Sequence, residues 1–177
     1  GLSPILVSSG AVAAGKAEIK IRTKMDMVSS RQLFSAIGQV KLINLYYTLF
    51  SQHKIYCGQV LATKEDFSTR RHYLNQRNCM SVMLENNIIP IVNENDTTSV
   101  NELMFTDNDE LSGMVAAMMN CKKLIILSNI DGIYNGDPNS KDCKVIREID
   151  IRKDKIDNYI QQSKSTAGRG GMITKYN

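Results

Sequence analysis

The sequence predicts an α/β protein, an open and mostly parallel sheet sandwiched by helices. Three observations carry this. Short apolar runs such as Ile5-Leu6-Val7 and Ile88 to Val92 alternate with longer stretches of helical periodicity. The runs are apolar on both faces, as strands covered by helices on either side must be. Each then stops at small or polar residues, and ligands of open α/β sheets gather beyond the carboxyl ends of the strands.

Taken in order, Ile5-Leu6-Val7 reads as a buried strand that breaks into a loop at Ser8-Ser9-Gly10. A helix is predicted from about residue 29 to 52, with Leu33, Ile37, Val40, Leu45 and Leu49 approximating one apolar face. Residues 55–62 form the next strand. Residues 69–85 form a helix whose Leu74, Met80, Val82, Met83 and Leu84 supply apolar surface. Residues 88–92 form another buried strand. A Met- and Ala-rich helix spans 107–119, its first turn carrying Asp107, Asp109 and Glu110 at the positive end of the dipole. Leu124 to Leu127 is the clearest strand of all by composition. Val145-Ile146 is a candidate edge strand, and 154–162 a further helix.

The 177 residues suit one domain. With 42% hydrophobic and 23% charged residues, a core can form without disulfides or metals. The net charge of +4 is not gathered into a basic stripe, and aromatics are only 6%, which argues against a nucleic-acid surface. No apolar run approaches a membrane span, and the start has no signal-peptide pattern. Cys57, Cys79, Cys121 and Cys143 form no Cys-x-x-Cys pair and are not spaced with His53 or His72 as zinc ligands, so no metal site is predicted. Four reduced thiols in a cytoplasmic protein is the expectation. The first apolar run comes almost at once, and a glycine cluster stands at the far end. Both features suggest a domain incomplete at both ends.

Polar residues follow three of the predicted strands: Ser8-Ser9-Gly10-Ala11, Asn93-Glu94-Asn95-Asp96, and Ser128-Asn129-Ile130-Asp131-Gly132. Any one could be a plain loop; three at one sheet edge make a site. Asp96 can pair with an ammonium group, and Asn93 offers both donor and acceptor, though Asn and Asp also favour turns. Asp107-Asn108-Asp109 can cap a helix with no further task. Two acidic clusters so close nevertheless exceed what capping requires. Gly168-Arg169-Gly170-Gly171-Met172-Ile173-Thr174-Lys175 could bring backbone N–H groups and a lysine to phosphates, or be a flexible loop; it is not a Walker A sequence.

These motifs together resemble the amino acid kinase family, and within it the glutamate kinases. The resemblance runs from about Leu6 to Lys175. It rests on Val7-Ser8-Ser9-Gly10-Ala11, Gln32 to Gln39 with Ala36-Ile37-Gly38-Gln39, Asn93-Glu94-Asn95-Asp96, Asp107-Asn108-Asp109, Asp131-Gly132-Ile133-Tyr134 and Gly170 to Lys175. It implies the amino acid kinase fold and transfer of the ATP γ-phosphoryl group to the side-chain carboxylate of L-glutamate, with Mg²⁺ on the nucleotide. It further implies that Ser9 (with Gly10), Asp96 and Asn108 contact glutamate, with Asn93 and Asp107 close by. Ser128, Asn129 and Arg169, Gly170, Gly171, Met172, Ile173, Thr174 and Lys175 would meet ATP. Asp109 would orient catalytic lysines, and Lys175 would be one of them. A homo-oligomer and feedback inhibition by proline are implied as well.

The chain departs from the family pattern in places. No Lys-x-Gly-Ser strand occurs, so one expected catalytic lysine is missing from this sequence. Ser128-Asn129 stands where Thr-Asp is usual and Arg169 where Thr is frequent, and the PUA domain of some members is not expected within these residues. Two alternatives stay open: a sibling carboxylate kinase acting on acetylglutamate or aspartate, and a non-catalytic amino acid-binding module.

Overall fold

The computed structural model describes residues 1–98, 107–129, 131–135 and 144–149. Three parallel strands form the sheet: β1 (Leu6–Val7), β2 (Tyr56–Ala62) and β3 (Ile88–Glu94), in the order β1-β3-β2. β3 is central. Its Ile91 and Val92 pair with Leu6 and Val7, and all seven of its residues pair with Tyr56 to Ala62. Pro90 sits in this central strand, a place proline usually avoids because it has no N–H for the ladder. The register explains it. β1 reaches only Ile91 and Val92, so at Pro90 the strand has, among the described residues, a single neighbour, through Gly58.

Five helices accompany the described strands: α1 (Ala11–Glu18), α2 (Met27–Ser51), α3 (Lys64–Ser68), α4 (Arg70–Glu85) and α5 (Asn108–Met118). Their starts are chemically marked. The Asp26 carboxylate accepts from the N–H groups of Val28 and Ser29 at the head of α2, and Asp107 accepts from those of Asp109 and Glu110 at the head of α5. At α3, the Asp66 carboxylate reaches back to the Thr63 N–H at 2.7 Å, half of a capping box. The core lies where β2 and β3 meet α4 and α5, around Val60, Ala62, Met80, Val92, Leu111 and Met118. Among the described residues, no helix is long and apolar enough to cross a membrane.

The α/β class and parallel sheet stand as predicted, and α2, α4, α5, β2 and β3 lie within two residues of their expected bounds. Other expectations fail. Leu124 to Leu127 is not a strand: it joins none of β1 to β3, and Ile125 and Leu127 are 70% and 92% exposed. Apolar composition makes a segment suited to pairing, but a hydrogen-bonded neighbour makes it a strand. Val145 is no edge of this sheet either. It forms an isolated antiparallel bridge with Tyr134, flanked by the Ile146 N–H donating to the Ile133 carbonyl. The helix expected over 154–162 lies outside the described residues. Helices α1 and α3 were not expected.

The buried face of α2 is also not the predicted one. Leu33, Val40, Leu45 and Leu49 are exposed, while Ser35, Gly38 and Gln39 are buried. The cause is a glycine-mediated crossing with α1. A Cβ on Gly38 would lie 1.7 Å from the Ala11 carbonyl oxygen, and one on Gly15 1.8 Å from that of Phe34. The two backbones meet where each helix lacks a side chain, and this rotates the polar line Arg31, Ser35 and Gln39 toward the sheet. On α4, Met80 is buried as expected, but Leu74 and Val82 stay about half exposed.

Candidate amino acid site at the carboxyl ends of β1 and β3

Parallel strands deliver their carboxyl ends to one edge, so the residues after Val7 and Val92 must sit together. They do. The Ser8 N–H donates to the Val92 carbonyl at 2.9 Å. Asn93 and Glu94 belong to β3 itself, opposite Leu61 and Ala62, so they are strand residues and not the turn that their composition allowed. The chain leaves the sheet at Asn95, whose N–H still reaches the Ala62 carbonyl at 2.8 Å. Asn93, Glu94 and Asp96 are all buried.

The start of α5 closes onto this edge through one amide. Asn108 Nδ2 donates to the Ser8 carbonyl at 2.7 Å and to Asn93 Oδ1 at 2.9 Å. The polarity is fixed by chemistry. A backbone carbonyl can only accept, so the nitrogen of Asn108 must face Ser8. Asn93 Oδ1 also accepts from the Glu94 N–H at 2.9 Å, and a backbone N–H can only donate. With its NH₂ committed, Asn108 has Oδ1 to offer as an acceptor, which suits an ammonium group. Asn93 keeps its own NH₂, a donor that suits a carboxylate.

The electrostatics come from a residue the sequence reading did not single out. Arg31 on α2 places one guanidinium nitrogen between two carboxylates, 2.6 Å from Glu94 Oε2 and in contact with Asp96 Oδ1. The three side chains are 14%, 3% and 8% exposed. Burying two carboxylates so close together would be prohibitive without such a partner. The same helix face grips the strand end at two further points. Gln39 Nε2 donates to the Glu94 carbonyl at 3.4 Å, and Gln32 Nε2 to the Thr97 carbonyl at 3.0 Å. Gln39 Oε1 in turn accepts from Gln59 Nε2 at 3.1 Å, linking the grip to β2. The signal for Arg31 and Gln39 was present in the sequence: polar residues at 31, 35 and 39, four apart, inside a helix read for its apolar positions.

The other predicted residues are placed as follows. Ser9 is exposed beside Gly10, whose φ of 107° lies in the left-handed region that glycine tolerates, at the point where β1 turns into α1. Ser8, not Ser9, is the buried serine, its hydroxyl 2.7 Å from the Tyr46 hydroxyl. Asp107 has the capping role that its position allowed, and Asp109 follows within the first turn of α5. Lys64 pairs with Glu110 at 3.0 Å, tying the start of α3 to the same turn. Ser128 and Asn129 are exposed, and no described hydrogen bond brings them to the cluster. Arg169 to Lys175 lie outside the described residues. A shallow groove lined by Gln59, Asp66, His72, Gln76 and Cys79 runs along β2 and α4 and borders the cluster's network at Gln59, which donates to Gln39.

A family model described as "Amino acid kinase family" matches residues 1–177. The chain belongs to the amino acid kinase family. Among curated relatives it is 67% identical to the glutamate 5-kinase of Bacteroides thetaiotaomicron, over all of this chain and 49% of that protein. It is 48% identical to the glutamate 5-kinase of Chlorobaculum tepidum, over all of this chain and 48% of that protein. Glutamate 5-kinase 2 of Bacillus subtilis is 43% identical, over 99% of this chain and 47% of its own length. The chain thus spans about half the length of the curated relatives it matches. This family membership agrees with the parallel sheet and with a polar cluster at its carboxyl edge.

Proposed function

We propose that the protein phosphorylates the side-chain carboxylate of L-glutamate at the expense of ATP, giving an acyl phosphate on the route to proline, with the amino acid held by the cluster at Ser8–Gly10, Asn93–Asp96 and Asn108. The observation that carries the reading is the joining of three separate elements by Asn108, beside a carboxylate pair held by Arg31. That pocket offers opposite chemistry for the two ends of an amino acid: acceptors at Asp96 and Asn108 for the ammonium, a donor at Asn93 for a carboxylate. Relatives named glutamate 5-kinase, matched along the whole of this chain, point to the same substrate.

The chemistry asks little of the protein beyond placement. A carboxylate is already ionised near neutral pH, so no general base is needed. One of its oxygens attacks the γ-phosphorus, a new O–P bond forms, the bond to the bridging oxygen breaks, and ADP leaves with the electron pair. Catalysis is then positioning and neutralisation of spread negative charge. Lys175 is assigned to that charge, and Asp109 to orienting cationic groups around it. Ser128, Asn129 and the 169–175 segment are assigned to the nucleotide. The donors at this sheet edge are carboxylate and amide oxygens, which suit a hard cation; Mg²⁺ would be carried on the nucleotide phosphates and neutralise their charge.

Full-length protein incubated with ATP, Mg²⁺ and hydroxylamine tests the reading, because hydroxylamine traps an acyl phosphate as a hydroxamate. Hydroxamate should form with glutamate. Formation with aspartate or N-acetylglutamate in place of glutamate would refute it.

A further inference from the structure

We propose that Arg31 is a specificity-determining positioning residue: it holds one carboxylate oxygen of Asp96 and so aims the other at the substrate ammonium. The inference rests on the amino acid site proposed above and deepens it. Three observations lead to it. First, one Arg31 nitrogen contacts both Glu94 Oε2 and Asp96 Oδ1, and all three side chains are largely withdrawn from water. Second, Arg31 engages Asp96 through Oδ1. Among the described residues Oδ2 has no cationic partner, so it is the oxygen left for a ligand. Third, Arg31 is itself held in register. It lies on the α2 face that grips the strand end through Gln32 and Gln39, on a helix locked to α1 by the Gly15–Gly38 crossing.

The same contacts explain why a cation belongs beside a site proposed to accept a cationic group. Without Arg31, Glu94 and Asp96 would be like charges at close range in a buried site, and each carboxylate would turn away from the other. An Asp96 carboxylate turned from its place no longer meets the ammonium group. With Arg31, one oxygen of Asp96 is committed and the other is aimed.

Steady-state kinetics of full-length wild type, Arg31→Met and Arg31→Lys test the proposal, with glutarate as a competitive inhibitor. Glutarate has both carboxylates and no ammonium. Arg31→Met should raise the KM for glutamate about tenfold or more, the loss of one good charged contact, and leave kcat within about threefold, since the contact is made equally in ground and transition states. The inhibition constant of glutarate should stay within about twofold, so the loss is confined to the ligand with an ammonium group. Arg31→Lys keeps the charge without the planar fork and should recover part of the loss. Parallel losses for glutamate and glutarate, a fall in kcat with KM unmoved, or no change would overturn it. If Arg31→Met loses its cooperative thermal transition, Arg31→Lys decides alone: a raised glutamate KM supports the assignment and an unchanged one refutes it. Wild-type protein that turns over no glutamate would overturn this inference together with the function it rests on. Wild-type turnover with an unaltered variant would overturn the inference only.

Discussion

The side-chain amide of Asn108 donates to the backbone carbonyl of Ser8 at 2.7 Å, across 100 residues of sequence. This one contact, with its companion to Asn93, ties the first strand, the central strand and the head of α5 into a single polar edge. Everything proposed about the amino acid site depends on that edge being rigid.

Replacing Asn108 should therefore damage both stability and binding. In Asn108→Leu the Ser8 carbonyl loses a donor that water cannot easily replace, a cost of about 1–3 kcal/mol for an unsatisfied buried group. Urea unfolding should show that loss, with glutamate binding weakened in parallel. Asn108→Asp should be worse for binding than for charge balance alone, since a carboxylate cannot donate to Ser8. A variant with unchanged stability would mean that the contact is dispensable.

The α1–α2 crossing gives a second prediction. At Gly38 an added methyl group would meet the Ala11 carbonyl, which is backbone and cannot swing aside. Gly38→Ala should destabilise by about 1–3 kcal/mol through overpacking, despite the better helix propensity of alanine. Because the crossing also sets the rotation of α2, the glutamate KM should rise as well. Alanine at the exposed Val40 serves as the control and should change neither.

The cap of α2 supplies a pH dependence. The Ser29 hydroxyl, and then the Ser29 N–H, hold the Asp26 carboxyl below its ordinary value, with burial working weakly the other way. The folded-state pKa is thus lowered. Its contribution to stability is whole above the ordinary carboxylate range and is lost as pH falls through the lowered value. Asp26→Ala should lower the melting temperature near neutral pH, and the gap from wild type should close at strongly acid pH. A gap that persists there would show that the carboxylate charge is not its source.

Much of this was legible in the sequence, for reasons that differ by element. β3 and α5 were readable because an apolar run with a sharp polar end, and an Asp at a helix head, are local signals. α1 was missed because Ser8-Ser9-Gly10 reads as a loop, although Ala11 to Glu18 is rich in alanine. α3 was missed although Thr63 and Asp66 have capping-box spacing. Leu124 to Leu127 misled because pairing depends on a neighbour elsewhere in the chain. The α2 face misled for the opposite reason: a glycine crossing, not apolar burial, chose which side turned inward. In the candidate site, Asn93, Asp96 and Asn108 could be named from residue type and order. Arg31 was missed although its four-residue spacing with Ser35 and Gln39 was visible, because its importance comes from a contact 63 residues away with Glu94.

The most direct test of the central claim is the glutamate KM of full-length Asp96→Asn. The substitution keeps the shape and removes the charge proposed to hold the ammonium group, while Arg31 retains Glu94. A rise of about tenfold or more is predicted, with kcat little changed, as expected for one lost charged contact. An unchanged KM in a variant of normal thermal stability would contradict the assignment of Asp96 to the substrate and, with it, the amino acid site at this sheet edge.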